Sequence, residues 1–510
     1  MTLHRDRDIS RESLIADLRA ALGKGAVLTG AEIGARHVSD MSATGTAPPF
    51  AVLRPRTAAE VSAILRLCHS AGQSVIAQGG MTGLAGGGNP TANDIVISME
   101  LLRGIEEIDT VSATMTVKAG TPLEECQQAA ADAGLFLALD LGSRGSCQIG
   151  GNLSTNAGGI RVIRYGMARE QVLGLEAVLA DGTVVSSLNK MLKNNAGYDL
   201  KHLFIGSEGT LGVITRAVLR LHPRPAAIAT ALCGLADDKA IVTLLHRAQA
   251  ELGNVMAFEA LWPDYHRFVA QILDVWPFSD DHAFWVILES TAKADDVEAF
   301  LAGMIEEGVM QDCAVAQTEA QARAFWSVRD GYPIDDLHNV VNFDVSLPIT
   351  QIGAFAADCH AAIKMRWPGA HCFIYGHIGD SNLHLVVNVP SAGDHQPEHA
   401  ALFHAASQFA HDVSSVGAVH GDPTQGTHDR SGRSSEQAVL PHPVHLDPQL
   451  PRDGEHQHEI PVRRVRGSHE HGGSGGRRFG LQSPATQSPE GAREETSKHG
   501  CTVEQPDQVR

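Results

Sequence analysis

The chain has 510 residues, 43% hydrophobic and 19% charged, with 51 glycines and a formal charge of −19. That length exceeds one compact core and implies two or three domains, while the acidic balance argues against nucleic acid or an anionic membrane, because phosphate binding draws on Lys and Arg. Eight cysteines without a CxxC, an N-terminus without an apolar h-region and no stretch near the roughly 18 apolar residues of a membrane span fit a cytoplasmic protein, any membrane association being peripheral.

In chain order, residues 9 to 22 (ISRESLIADLRAAL) space Ile9, Leu14, Leu18 and Leu22 as one helical face behind the cap candidate Ser10. From Phe50 the pattern becomes strand (FAVLRPRT), helix (AAEVSAILRLCHSAG) and strand (QSVIAQGG), an α/β unit whose second strand runs into glycines. Two more glycine blocks follow, LDLGSRGSCQIGGNLSTNAGG at 139 to 159 and IGSEGTLGVITRAVLRLHP at 205 to 223. Past Pro225 the glycines thin out, and a second α+β region alternates long helices with strands such as HAFWVILEST and VVNFDVSLPI, with helices expected near 351 to 365 and over 399 to 417. The boundaries read as 1–47, 48–225, 226–418 and 419–510.

After Ala418 the composition breaks. Residues 419 to 510 contain no Trp or Tyr and a single Phe, Phe479, while His, Arg, Pro, Ser and Gly crowd in without periodicity. So few apolar side chains predict disorder. The lack of charge blocks or repeats points to a reading-frame shift near 419, with a natural tail as the alternative.

Closely spaced glycines let backbone N–H groups converge on an anion and let a flat ligand approach without Cβ clashes. The candidates are Gly79, Gly80, Thr82 and Gly83 in the first block and Gly142, Ser143, Gly150, Gly151, Asn152, Thr155 and Asn156 in the second. Neither a Rossmann GxGxxG nor a Walker lysine is present. Tight turns in a β-rich domain are the alternative, weakened because three such blocks occur. Glu208 in GSEGTLG reads as a turn residue.

The histidines of YGHIGDSNLH, His377 and His384, are seven apart, a spacing that suits neither a straight strand nor a helix. A turn through IGDSN could bring both imidazoles to one metal ion; two separately satisfied histidines are the alternative. His404 and His411, two helical turns apart, are weaker candidates.

QGGMTGLAGGG, DLGSRGSCQIGGNLSTNAGGIRVIRYGMARE, LKNNAGYDLKHLFIGSEGTLGVIT and GHIGDSNLH occur in the order found in the FAD-linked oxidases and dehydrogenases of the vanillyl-alcohol oxidase/PCMH fold. Over roughly 48 to 418 the chain most resembles the D-2-hydroxy-acid dehydrogenase branch. The resemblance implies a PCMH-type domain of two α/β subdomains with FAD extended between them, followed by an α+β substrate or cap domain. Gln78, Gly79, Gly80, Met81, Thr82, Gly83 and Leu84, with residues 150 to 156, would flank the pyrophosphate, and Gly212, Val213 and Ile214 would line the adenine end. Gln78 stands where a tethering His might be sought, so the flavin is expected to be held without a covalent bond.

The same resemblance makes His377 and His384 ligands of a divalent ion, usually zinc, and Arg329 the carboxylate-binding cation, with Asn382 orienting ligands or substrate; a surface arginine on a helix is the alternative for Arg329. A Lewis acid on the hydroxyl and carboxylate of a 2-hydroxy acid lowers the hydroxyl pKa and fixes the pose for hydride transfer. Two departures stand out. VGAVHGDPTQGTH replaces the family's Glu-His-Gly-like segment, leaving His420 and Asp422 as weak substitutes, and Asn342 and Val386 replace a lysine and a polar residue of hydroxyglutarate-type members. The expected activity is oxidation of a D-2-hydroxy acid with an electron-transfer flavoprotein, quinone or oxygen as acceptor, and a homodimer is left open. A flavin-binding scaffold without turnover and a flavin transferase of the alkylglycerone-phosphate synthase type are the rivals.

Overall fold

The computed structural model describes residues 11–389, except 43, 279, 331–333, 335–336 and 338–339, together with the backbone of Arg463–Val465. The expected first helix runs Arg11–Leu22 and buries Leu14, Ile15 and Leu18; its cap candidate Ser10 lies outside the described residues. The strand, helix, strand pattern after Phe50 becomes Ala51–Leu53, Ala58–Ala71 and Val75–Gln78. Thr57 starts the helix by accepting the Glu60 N–H at 3.2 Å, and Gly72 stops it with φ 63°, a left-handed turn that costs glycine nothing.

Those two strands are each parallel to Ile95–Ser98, which lies between them, and Val27–Thr29 joins the outer side of Ala51–Leu53 antiparallel. A second sheet is antiparallel throughout, in the order Ile105–Asp109, Thr114–Lys118, Val213–Arg220, Val172–Val178, Val184–Ser187. Both sheets share one apolar core, where Val61 and Ile64 of the helix join Ile97, Val117, Ala177 and Ala217. The first glycine block leaves Val75–Gln78, and the third runs into Val213–Arg220.

Leu135–Phe136 pairs with His222–Pro223 in a two-stranded ribbon, and the other described strands form one antiparallel sheet of eight, ordered Val340–Ser346, Asn382–Asn388, His371–Gly376, Val255–Leu261, Phe284–Ser290, Ala229–Leu235, Asp312–Val315 and Arg463–Val465. Side-chain alternation splits its residues between two faces. Cys233, Val286, Leu288, Ile374 and Leu385 pack under the helices Asp238–Glu251, Ala294–Glu306 and Ile349–Arg366. Leu232, Ile287, Phe373 and Val386 meet Pro263–Leu273 and Glu319–Asp330 on the opposite side. By the same period of two, Glu259, Glu289, His384 and Asp344 point to that opposite side, beyond the apolar patch.

The helix expected over 399 to 417, the histidines at 404, 411 and 420, Asp422 and the tail from 419 lie outside the described residues, apart from Arg463–Val465, whose backbone pairs with Val315–Cys313. Among the described residues no helix is long and apolar enough to cross a membrane.

Candidate active site

The three glycine blocks abut. A Cβ on Gly80 would lie 2.1 Å from the Ser146 carbonyl oxygen, so the first block touches the second backbone to backbone. From the third block, Gly206 N donates to Leu153 O and Glu208 N to Ser154 O, while Gly87 of the first approaches the Glu208 carboxylate. Glu208 takes φ 51°, the turn role its sequence context suggested. Gly150 is needed for packing, since its Cβ would sit 2.7 Å from that of Ala119. Gly142 and Gly151 are different: neither has a positive φ, and an added Cβ would meet nothing within 4 Å. Neither backbone strain nor protein packing asks for glycine there, which leaves room for a ligand.

Other residues of these blocks are committed to the protein. Gln78 is buried, its Oε1 facing His37 Nδ1 at 2.9 Å and its Nε2 donating to Gly88 O at 2.8 Å, so its side chain braces the loop. Met81 has φ 60° beside the partly buried Thr82, with Gly83 and Leu84 exposed. Asn152 is buried against Cys147. Thr155 donates to Gly151 O, and Asn156 Oδ1 accepts Arg169 N–H at 3.0 Å. Ser143 O accepts the N–H groups of Ser146 and Cys147 and closes the turn before Gln148. Gly212 is wedged between Val178 O and the Phe204 ring; Val213 and Ile214 are buried and pair with Val178 and Ala177.

The histidine motif is a hairpin. His371–Gly376 leads through the turn Ile378–Asp380 into Asn382–Asn388, with Ser381 at φ 69°. Gly376 permits the close crossing, because a Cβ there would lie 2.6 Å from Asn382 O. His377 therefore sits at the end of one strand and His384 on the next, their ring centroids 5.2 Å apart and nearly perpendicular. Asn382 opens the second strand, its N–H directed to His377 O at 3.2 Å.

Each imidazole has its own carboxylate. His384 Nδ1 faces Asp344, its register partner on Val340–Ser346. His377 Nδ1 faces Glu259 on Val255–Leu261, a carboxylate with no exposed surface. Arg329, in the last turn of Glu319–Asp330, turns inward: its Nε donates to Glu259 Oε2 at 3.0 Å and its Nη2 lies 3.1 Å from His377 Nε2. Tyr265 donates to the Arg329 carbonyl and stacks on Tyr375 at 4.2 Å, placing an aromatic wall beside both Arg329 and His384.

Burial alone would push the Glu259 carboxyl up, but the charges of His377 and Arg329 outweigh it and hold it near 2. Burial likewise opposes the Arg329 charge, and Glu259 reverses the balance and raises it. The Asp344 carboxyl is lowered, burial being overcome by His384. Asp380 in the turn goes the other way, to about 7, because burial and the Glu259 charge together outweigh the opposing Asn382 N–H and His384.

Sequence reasoning missed Glu259, Asp344, Glu289 and Arg161. Glu289 accepts from Trp326 Nε1 at 2.7 Å and Thr230 Oγ1 at 3.1 Å, and faces Arg161 of the second glycine block's extension at 3.5 Å. The available signal was a lone carboxylate inside each apolar run, VMAFEALW and FWVILEST, since buried charges are paired.

The two histidines suit a metal in one respect. A ligating imidazole usually gives its second nitrogen to a carboxylate, which fixes the ring and leaves the other nitrogen for the ion; His384 with Asp344 and His377 with Glu259 have the carboxylate, but the other nitrogen of His377, Nε2, already lies 3.1 Å from Arg329 Nη2. Among the described residues, however, no group of three His, Cys, Asp or Glu side chains gathers to complete a metal centre.

Residues 49–187 match the family described as FAD binding domain, and residues 224–421 match FAD linked oxidases, C-terminal domain. The fold is similar to alkyldihydroxyacetonephosphate synthase, with TM-score 0.65 at 17% identity over 82% of each chain. It is also similar to p-cresol methylhydroxylase, with TM-score 0.61 at 13% identity over 79% of this chain and 88% of that one. The class is thus a flavoprotein of the PCMH-type fold. In sequence the chain is 35% identical over 424 residues to D-2-hydroxyglutarate dehydrogenase of Xanthomonas citri pv. viticola, covering 81% of this chain and 89% of the relative. It is 38% identical over 352 residues to the mitochondrial D-2-hydroxyglutarate dehydrogenase of Bos taurus, covering 66% of this chain and 63% of that protein. The chain belongs to the FAD-linked oxidase and dehydrogenase family, in its D-2-hydroxy-acid dehydrogenase branch, and spans less than two thirds of the length of the mitochondrial relatives it matches.

Proposed function

We propose that this protein oxidises a D-2-hydroxy acid to the 2-oxo acid. The observation that carries the reading is the assembly of Arg329, His377 and His384 from a helix and a hairpin, two of them in direct contact, in a chain whose glycine blocks build a separate, roomy cradle. When bound, FAD would accept the C2 hydride at N5, and a divalent ion, zinc by analogy with the family, held by His377 and His384 would acidify the C2 hydroxyl.

The chain's own residues supply the rest. Arg329 offers a planar fork to the substrate carboxylate, and the loss of water around it strengthens that bond. Glu259 holds Arg329 and His377 in one arrangement before substrate arrives, so little reorientation remains at the moment of reaction. Asp344 and Asn382 fix the position and ring plane of His384 and the turn. Tyr375 closes the side next to Arg329 and His384. Asn342 and Val386, the two departures from hydroxyglutarate-type members, are direct cross-strand partners two pairs along from Asp344 and His384, on the same face; with no lysine there, the distal end of the substrate is expected to differ from that of 2-hydroxyglutarate. The reduced flavin would pass its electrons to an electron-transfer flavoprotein, a quinone or oxygen.

The replacement of the family's Glu-His-Gly-like segment by VGAVHGDPTQGTH favours one alternative, a flavin-binding scaffold without independent turnover. Purified protein separates the two. Anaerobic bleaching of its flavin by D-lactate, D-2-hydroxyglutarate or glycolate supports the dehydrogenase; a yellow protein inert to all three, with and without added Zn²⁺, supports the scaffold.

A further inference from the structure

We infer that Glu289 is a positioning residue that ties the substrate arginine to the flavin-binding half of the molecule; the inference rests on the dehydrogenase reading for its kinetic consequence. Glu289 lies on Phe284–Ser290, 6% exposed, and its two oxygens serve different halves of the protein. Oε1 accepts from Trp326, one helical turn before Arg329 on the same helix, and from Thr230. Oε2 faces Arg161, which also reaches Asp140 of the second glycine block at 3.5 Å.

The neighbours of Arg161 show that this segment is a strap. Arg164 donates to Thr291 Oγ1 at 2.7 Å and to Asn254 O at 3.2 Å, the residues that flank the ends of Phe284–Ser290 and Val255–Leu261 in the eight-stranded sheet. Ile163 packs into the histidine turn, where a Cβ on Gly379 would lie 2.3 Å from its Cδ1. Gly159 is pressed so closely on Asp140 O that a Cβ would be 1.8 Å away. The strap thus fixes the glycine block at one end and the sheet at the other, and Glu289 carries that constraint to the Arg329 helix. Only a carboxylate does both tasks: an amide whose oxygen serves Trp326 turns its NH2 toward the Arg161 guanidinium, donor against donor.

The test uses Glu289→Gln and Trp326→Phe in the flavin-loaded protein. Each is expected to raise KM for the accepted hydroxy acid about tenfold with flavin content unchanged, and Glu289→Gln should add less than about twofold in an Arg329→Ala background, because coupled residues are not additive. Amide hydrogen exchange should rise across 319–330 in Glu289→Gln and stay unchanged there in the surface control Glu307→Gln. Unchanged KM, full additivity with Arg329→Ala, or loss of flavin from both variants overturns the inference. Should the wild type prove inert to every hydroxy acid, the dehydrogenase reading fails; the exchange pattern over 319–330 then decides the positioning role by itself, and no change there overturns it.

Discussion

Glu259 and Arg329, 70 positions apart, meet through a 3.0 Å hydrogen bond that leaves the carboxylate wholly buried and the guanidinium side chain 16% exposed. Removing one partner of such a pair leaves an uncompensated charge. Glu259→Gln is therefore expected to lose about 3 kcal/mol or more of unfolding free energy. Replacing both, as Glu259→Gln with Arg329→Met, should cost less than the single change, and denaturant titration of the two variants checks the order.

His377→Ala or His384→Ala should abolish hydroxy-acid turnover while the flavin stays bound, since neither ring touches the glycine blocks. Absorbance of the purified variants and single-turnover reduction measure the two properties separately. Loss of flavin from either would merge two sites that are separate here.

Two glycine substitutions should part company. Gly80→Ala must move the Ser146 backbone and is expected to unfold the loop region or lower Tm. Gly151→Ala meets nothing and lies in the short helix Ile149–Ser154, where alanine is favoured by up to about 1 kcal/mol. Its stability should hold while its flavin content falls, as flavin-to-protein ratio and thermal melts would show.

Asn342→Lys should raise the preference for D-2-hydroxyglutarate over D-lactate about tenfold or more, by giving a distal carboxylate a cation beside the histidine pair. The ratio of kcat/KM values reads this out, and no change would remove Asn342 from the substrate's surroundings.

A pH prediction follows from His266, fully buried and stacked on Trp285 at 4.5 Å. Burial holds its imidazole down near 4, below the unfolded value of about 6.5. As pH falls through 6.5 the unfolded chain takes up the proton first, so stability declines until about pH 4 and then levels off, by about 3 kcal/mol from this group. His266→Phe should flatten that slope in denaturant titrations at several pH values; His222, also lowered to about 4 by burial, leaves a residual slope.

The local α/β unit, the convergence of the glycine blocks and the bend between His377 and His384 were all legible, because each is written in neighbouring residues: a cap, a run of glycines, a turn. The partners of those histidines were not. Glu259 faces His377 only because Val255–Leu261 lies beside His371–Gly376 in the sheet, and that strand order joins segments more than a hundred residues apart. A lone carboxylate in an apolar run announces burial but not its companion. Gln78 shows the converse: its place in a glycine-rich motif suggested ligand contact, yet its amide braces His37 and Gly88.

The socket that Gly379 leaves for Ile163 bears on how such molecules can be recombined. A chimera cut near residue 224 would separate the isoleucine from its receptacle and Arg161 from Glu289, so a transplanted C-terminal half works only if residues 159–165 travel with it or the host already carries the same side chains. Inheritance of the two halves is coupled through seven residues that belong, by chain position, to the first.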